Sequence, residues 1–164
     1  MEKLWSPWRS KYIDSFKTGE TQSECIFCEA AGKEIDDFDN LVVRKSKLTF
    51  TLLNLYPYNN GHLMIVPYRH IGELSDLVVE EANELMQELQ LAQRALNNTL
   101  KPQGFNIGAN IGRSSGAGIA DHIHFHIVPR WNGDTNFMPV IGQVKIISQD
   151  LKDTKVNLMK AYKS

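Results

Sequence analysis

The chain predicts an α+β fold built on an antiparallel sheet. Short strand-like segments follow one another in quick succession, with one long amphipathic helix between them rather than helices alternating with strands. One of these segments, His122-Ile123-His124-Phe125-His126-Ile127-Val128, alternates strictly between histidine and bulky apolar residues. That period of two is the mark of a half-buried strand. It predicts Ile123, Phe125 and Ile127 facing a core, with three imidazoles sharing the opposite face.

The elements can be justified in order. Residues 1–24 are irregular and polar, with Trp5, Trp8, Tyr12 and Phe16 as aromatic anchors. Such rings more often pin a loop onto a surface than bind a ligand. Asn40–Lys45 and Leu48–Leu55 read as strands, and Tyr56-Pro57-Tyr58-Asn59-Asn60-Gly61 is dense in turn formers. His62–Pro67 is a further short strand, Leu63-Met64-Ile65-Val66 being almost wholly apolar and so expected to be buried. Ser75 is the expected N-cap of a helix running to about Leu100. Leu74, Val78, Ala82, Leu85, Leu89, Ala92 and Leu96 form its apolar stripe. Its charged face is expected in solvent, and Pro102 and Gly104 end it. Phe105–Asn110 is a strand, and Ile111–Asp121 is a glycine-rich loop leading into the histidine segment. The tail from Ser148 is weakly helical, with Leu151, Leu158 and Tyr162 on one side.

At 164 residues the chain is expected to form one domain, residues 1–164. Its core spans about residues 25–131, with an N-terminal arm over 1–24 and a tail over 132–164. A net charge of −1 gives no global attraction to nucleic acid or to an anionic membrane. No apolar run is long enough to span a bilayer, and the first nine residues lack the apolar stretch of a signal peptide. Two cysteines make no disulfide framework. The expected setting is therefore cytoplasmic, with neither a nucleic-acid polymer nor a membrane as partner.

A strand face of imidazoles suits metal binding or phosphoryl chemistry. Gly104, Gly108, Gly112, Gly116 and Gly118 are five of the eleven glycines, packed into the residues just before the histidine strand. Backbone N–H groups around Gly116-Ala117-Gly118, with Ser114, Ser115 and Asn110 as further donors, suit an oxyanion and favour phosphate over bare metal. Cys25-Ile26-Phe27-Cys28 is half of a tetrahedral zinc site. Inert or redox thiols are the alternative, although no strand precedes Cys25 as a thioredoxin-like motif needs. His62 and His70 flank a short buried segment, where a lone histidine is ordinarily structural.

These residues resemble the histidine-triad superfamily of nucleotide hydrolases and transferases. The segment 122–128 matches its His-φ-His-φ-His-φ-φ signature, and Gly61-His62…Pro67…His70 its second shared segment. Leu4-Trp5-Ser6-Pro7-Trp8-Arg9, the C-x-x-C, Tyr56–His62 and Val128–Met138 resemble the bacterial branch that includes diadenosine tetraphosphate phosphorylases. The resemblance runs over about residues 1–140.

It implies a half-barrel of about five antiparallel strands with one long helix, paired as a two-fold dimer. It implies His124 as nucleophile on the α-phosphorus, forming a nucleotidyl-histidine, with His126 on a phosphate or leaving-group oxygen and His62 supporting that network. Phosphate as acceptor releases a nucleoside diphosphate, water a monophosphate. It implies Ile26 and Phe27 near the base, Asn54 near the ribose, and Asn110, Gly116, Ala117 and Gly118 near the phosphates. Trp131 either stacks on a second base or lines the mouth of the site, or else packs in the dimer. It implies a structural zinc on Cys25, Cys28, His70 and His122, and no organic cofactor. The sequence departs from the pattern where many members carry Gly-Gln-Ser or Gly-Gln-Thr: Ala117, Gly118 and Ile119 stand there, removing a side-chain donor and giving a different acceptor geometry, with room for inorganic phosphate. Phosphoramidate hydrolysis, nucleotidyl transfer to a sugar phosphate, a triad-bound catalytic metal and a non-catalytic nucleotide-binding protein are the rival readings.

Overall fold

The computed structural model describes residues 25–134, 147 and 149–163. The aromatic anchors of the N-terminal arm and residues 135–146 of the tail lie outside them. A short helix α1 (Ile26–Ala31) precedes β1 (Val42–Lys45), β2 (Thr49–Leu53) and β3 (Leu63–Pro67). The long helix α2 (Val79–Leu100) leads into β4 (Gly104–Ala109), β5 (Phe125–Arg130) and the C-terminal helix α3 (Leu151–Ala161). The five strands form one open antiparallel sheet in the order β1-β2-β3-β5-β4, as the sequence predicts.

Strand parity gives the sheet two different faces. Leu53, Leu63, Ile65 and Ile127 pack with Leu85, Leu89, Ala92, Ala95 and Leu96 of α2 and with Leu158 of α3. Phe50, Leu52, Met64 and Val66 point the other way, onto Phe27 of α1. The run Leu63–Val66 is therefore apolar throughout because it is buried on both sides.

The histidine segment joins the ladder later than its alternation suggests. Only Phe125–Arg130 is hydrogen-bonded as strand, with Ile65↔Phe125, Met64↔His126 and Leu63↔Ile127 in register. Upstream, the amide of Ile123 donates instead to the carbonyl of Ile71 at 2.6 Å. That bond draws residues 120–123 against the segment after β3. Gly72 permits the approach, since a Cβ there would lie 3.0 Å from the Ala120 carbonyl oxygen.

Helix α2 starts four residues after Ser75, which sits in a single 3-10 turn, Leu74–Asp76. The start is set by Glu81, whose carboxylate accepts the Val78 N–H at 3.1 Å and a two-pronged bond from Arg69 at 2.6 and 2.7 Å. Leu74 and Val78 are exposed, so the apolar stripe begins at Leu85. The charged residues are not all solvated either. Glu88 is buried, accepting from Arg44 and from the Ser46 hydroxyl, and Glu84 accepts the Leu48 amide and the Thr49 hydroxyl. These bonds fasten α2 to the β1–β2 hairpin. On α3, Asp150 caps the N-terminus, and the fully buried Lys155 donates to the carbonyls of Asp37 and Asn40 at 2.8 and 3.0 Å.

Gly61 closes the turn before β3 with φ +73°, and a Cβ there would collide with Leu100 and come within 3.0 Å of Leu96. Gly61→Ala is expected to destabilise the protein by about 1–3 kcal/mol, read as a lower urea midpoint with an unchanged m-value. Arg69 holds the Glu81 carboxyl below its ordinary value against the opposing effect of burial. Its contribution to stability is thus present at neutral pH and is lost as acid titrates the folded group below the ordinary carboxylate range. Urea midpoints of wild type and Glu81→Gln are expected to differ at pH 7 and to converge as the pH is lowered into that range.

Candidate active site and metal centre

The sheet face opposite α2 carries the histidines. Phe27, buried against this face, contacts the ring of His122 with centroids 5.5 Å apart and that of His124 at 4.7 Å. His124 and His126 are 4.8 Å apart, and His126 and His62 5.0 Å.

The hydrogen bonds fix which nitrogen of each ring carries its proton. His124 Nδ1 lies 2.9 Å from the carbonyl oxygen of His122. A carbonyl only accepts, so Nδ1 is the N–H and Nε2 keeps the lone pair. By the same reasoning His122 Nε2 donates to the carbonyl of Pro67 at 2.9 Å, leaving the Nδ1 lone pair facing Cys25 and Cys28. His62 Nδ1 accepts the Tyr58 amide at 3.1 Å, with Asn54 Nδ2 at 3.3 Å on the same atom. His62 Nε2 therefore donates to His126 Nδ1 at 2.9 Å, and His126 is protonated on Nε2. Burial is the main cause holding His122 and His124 below the ordinary histidine value, against the hydrogen bonds that raise it, so both are neutral near pH 7.

A cavity opens over these rings. Its lining includes Ile26, Phe27, Asn54, Asn110, Gly118, His124 and His126, all expected from the sequence. Gly116, Ala117 and Trp131 are not among its lining residues, and His62 stands behind His126. Leu41, Leu53, Leu55, Tyr56, Tyr58, Met64 and Ile119 complete the wall; of these the sequence singles out only Ile119, as part of the departure from the family pattern. They come from four separate segments, and only the aromatic pair Tyr56 and Tyr58, in a turn just before His62, offered a local signal. Asn54 is also committed within the protein: its Oδ1 accepts the Tyr56 amide while Nδ2 faces His62.

Cys25, Cys28, His70 and His122 meet beside this cavity, with their ligand atoms all within 4.8 Å of one another. Cys25 caps α1 and Cys28 lies one turn on, which puts both thiols on one side. Cys25 Sγ is 3.2 Å from His122 Nδ1, and Cys28 Sγ is 3.3 Å from His70 Nδ1 and 3.7 Å from His122 Nδ1. A tetrahedral ion with bonds of 2.0–2.3 Å places its ligands roughly 3.5 Å apart. The four residues thus form a possible metal site. The Pro67 carbonyl supplies the partner that orients a ligating imidazole.

A family model described as HIT domain matches residues 36–133. The chain is 44% identical over 158 residues to AP-4-A phosphorylase of Mycobacterium tuberculosis, covering 94% of this chain and 81% of that protein. It is 37% identical over 91 residues to bis(5'-adenosyl)-triphosphatase of Saccharomyces cerevisiae, covering 55% of this chain and 44% of that one. Its fold is similar to that of a Zn-bound histidine triad family protein from Mycobacterium smegmatis, with a TM-score of 0.67 and 24% identity over 85% of this chain and 94% of the other.

Proposed function

The chain belongs to the HIT-domain family, and on that premise we propose that it is an enzyme cleaving dinucleoside polyphosphates at the α-phosphorus, with diadenosine tetraphosphate as substrate. The observation that carries this reading is His124: neutral, lining the cavity, with Nδ1–H spent on a carbonyl and the lone pair left on Nε2. In the reaction His124 Nε2 bonds to the α-phosphorus while the bond to the bridging oxygen breaks. The electron pair leaves with the polyphosphate, whose oxygen accepts a hydrogen bond from His126 Nε2–H. The proton stays on His124 Nδ1, hydrogen-bonded to the His122 carbonyl throughout, so no proton has to be removed from the nucleophile. Attack on phosphorus by inorganic phosphate then releases ADP and restores His124; attack by water releases AMP.

Ile26 and Phe27 take the base, Asn54 the ribose, and Asn110 with the loop Gly116-Ala117-Gly118 the phosphoryl oxygens. Trp131 serves a second base or a subunit contact. With Ala117, Gly118 and Ile119 in place of a glutamine segment, phosphate is the acceptor favoured. Zinc on Cys25, Cys28, His70 and His122 braces the segment carrying His124 and takes no part in bond making; the donor spacing supports it. Two cysteines kept as thiols also suit a reducing, cytoplasmic setting. No helix among the described residues is long and apolar enough to cross a membrane. The edge strand β4 exposes Asn106, Ile107 and Gly108, a surface suited to pairing with a second copy.

Incubation with diadenosine tetraphosphate, with and without phosphate, is expected to give ADP and ATP only when phosphate is present. AMP and ATP regardless of phosphate would replace the phosphorylase reading with a hydrolase. His124→Ala is expected to lower kcat by roughly 10³-fold or more; full turnover by that variant would refute the covalent mechanism. Elemental analysis is expected to find one zinc per chain, lost in Cys28→Ser together with several degrees of Tm.

A further inference from the structure

The turn that supplies the hydrogen-bond donors to His62 is itself held from outside the cavity. Asn59, next to Tyr58, donates through Nδ2 to the carbonyl of Pro129 at 3.0 Å and to Asp134 Oδ2 at 2.7 Å. Asp134 accepts Arg130 at 2.6 and 2.9 Å and the Trp131 amide at 3.2 Å. Arg130 in turn reaches Asn106 on β4 at 2.6 Å. Neither Asn59, Arg130 nor Asp134 lines the cavity. The His62 amide closes the turn on the Asn59 carbonyl at 3.2 Å.

Two neutral imidazoles joined Nε2 to Nδ1 have two proton orders of similar energy. In one, His62 donates to His126, and His126 presents an N–H on Nε2. In the other, His126 Nδ1 donates to His62, and His126 presents a lone pair that repels a phosphate oxygen. The second order needs a proton on His62 Nδ1, where it would meet the Tyr58 N–H and the Asn54 amide donor head-on. The placement of a backbone amide therefore selects the order.

We propose that Asn59 and Asp134 are positioning residues that hold the Tyr58 amide on His62 and thereby fix His126 as the hydrogen-bond donor of the site. The effect on turnover rests on the phosphorylase reading above; the effect on the proton order does not. Long-range proton–nitrogen NMR of the histidine side chains tests it directly. In wild-type protein His62 and His126 are expected to be Nε2–H tautomers and His124 an Nδ1–H tautomer. In Asn59→Ala, both His62 and His126 are expected to shift towards a mixture, while His124, bonded elsewhere, keeps its tautomer. Asp134→Asn, nearly isosteric, is the second variant and is expected to give the same change to a smaller extent. With diadenosine tetraphosphate, kcat is expected to fall about tenfold with KM little altered. Unchanged tautomers in folded samples of both variants would overturn the proposal. Shifted tautomers in a protein whose wild type turns over no dinucleotide would uphold the positioning role and reject the catalytic reading.

Discussion

The pairing of β3 with β5 is the interaction on which the rest of the site depends. It joins segments some sixty residues apart in register, with Met64 opposite His126 and Leu63 opposite Ile127. Because side chains alternate along a strand, this register sends Leu63, Ile65 and Ile127 into the helix-side core and Met64 and His126 to the other face. A slip of one residue would bury the imidazoles under α2 and expose the aliphatic residues. The large apolar area that would be lost specifies the register, and the arrangement of the histidines follows from it. His62, the residue before β3, shares the parity of Met64 and so meets His126 across the strand pair.

Within that frame, the imidazoles are oriented by backbone groups more than by other charged side chains. The carbonyls of His122 and Pro67 accept hydrogen bonds from His124 Nδ1 and His122 Nε2, and the amide of Tyr58 donates to His62 Nδ1. Backbone dipoles do not titrate, so while the imidazoles are neutral these partners select the same tautomers. Burial keeps His122 and His124 neutral. A neutral imidazole suits a nucleophile and a metal ligand alike, so residues two apart on one segment are both fit for such roles.

Carboxylates on α2 play the matching part on the far side of the sheet. Glu81, Glu84 and Glu88 each accept two or more hydrogen bonds from the strands or from the segment after β3. Burying charge in this way adds little net stability, because desolvation offsets much of the attraction. What it adds is orientation. Arg69, joined to Glu81, precedes His70 directly, so the helix start and one arm of the possible metal site are fixed together.

The sequence by itself determined the residue types and the strand parity. Alternation at 122–128, the C-x-x-C, and the His62 and His70 pair are local patterns, and local patterns survive any tertiary arrangement. With the apolar stripe from Leu74 to Leu96 they were enough to predict the antiparallel sheet and the long helix, and the family resemblance they carry implied the four residues whose ligand atoms gather. Ser75 as helix start and the solvated charges of α2 were misleading for the converse reason. Cap choice and burial there depend on Arg69, Arg44 and the Leu48 amide, which lie 12 to 44 residues away in sequence. The late entry of the histidine segment into the ladder, the scattered cavity wall, and the proton order through His62 and His126 were decided only by the tertiary structure. Each rests on a hydrogen bond or contact between distant segments, and a hydrogen bond's direction is set by where packing brings its two ends.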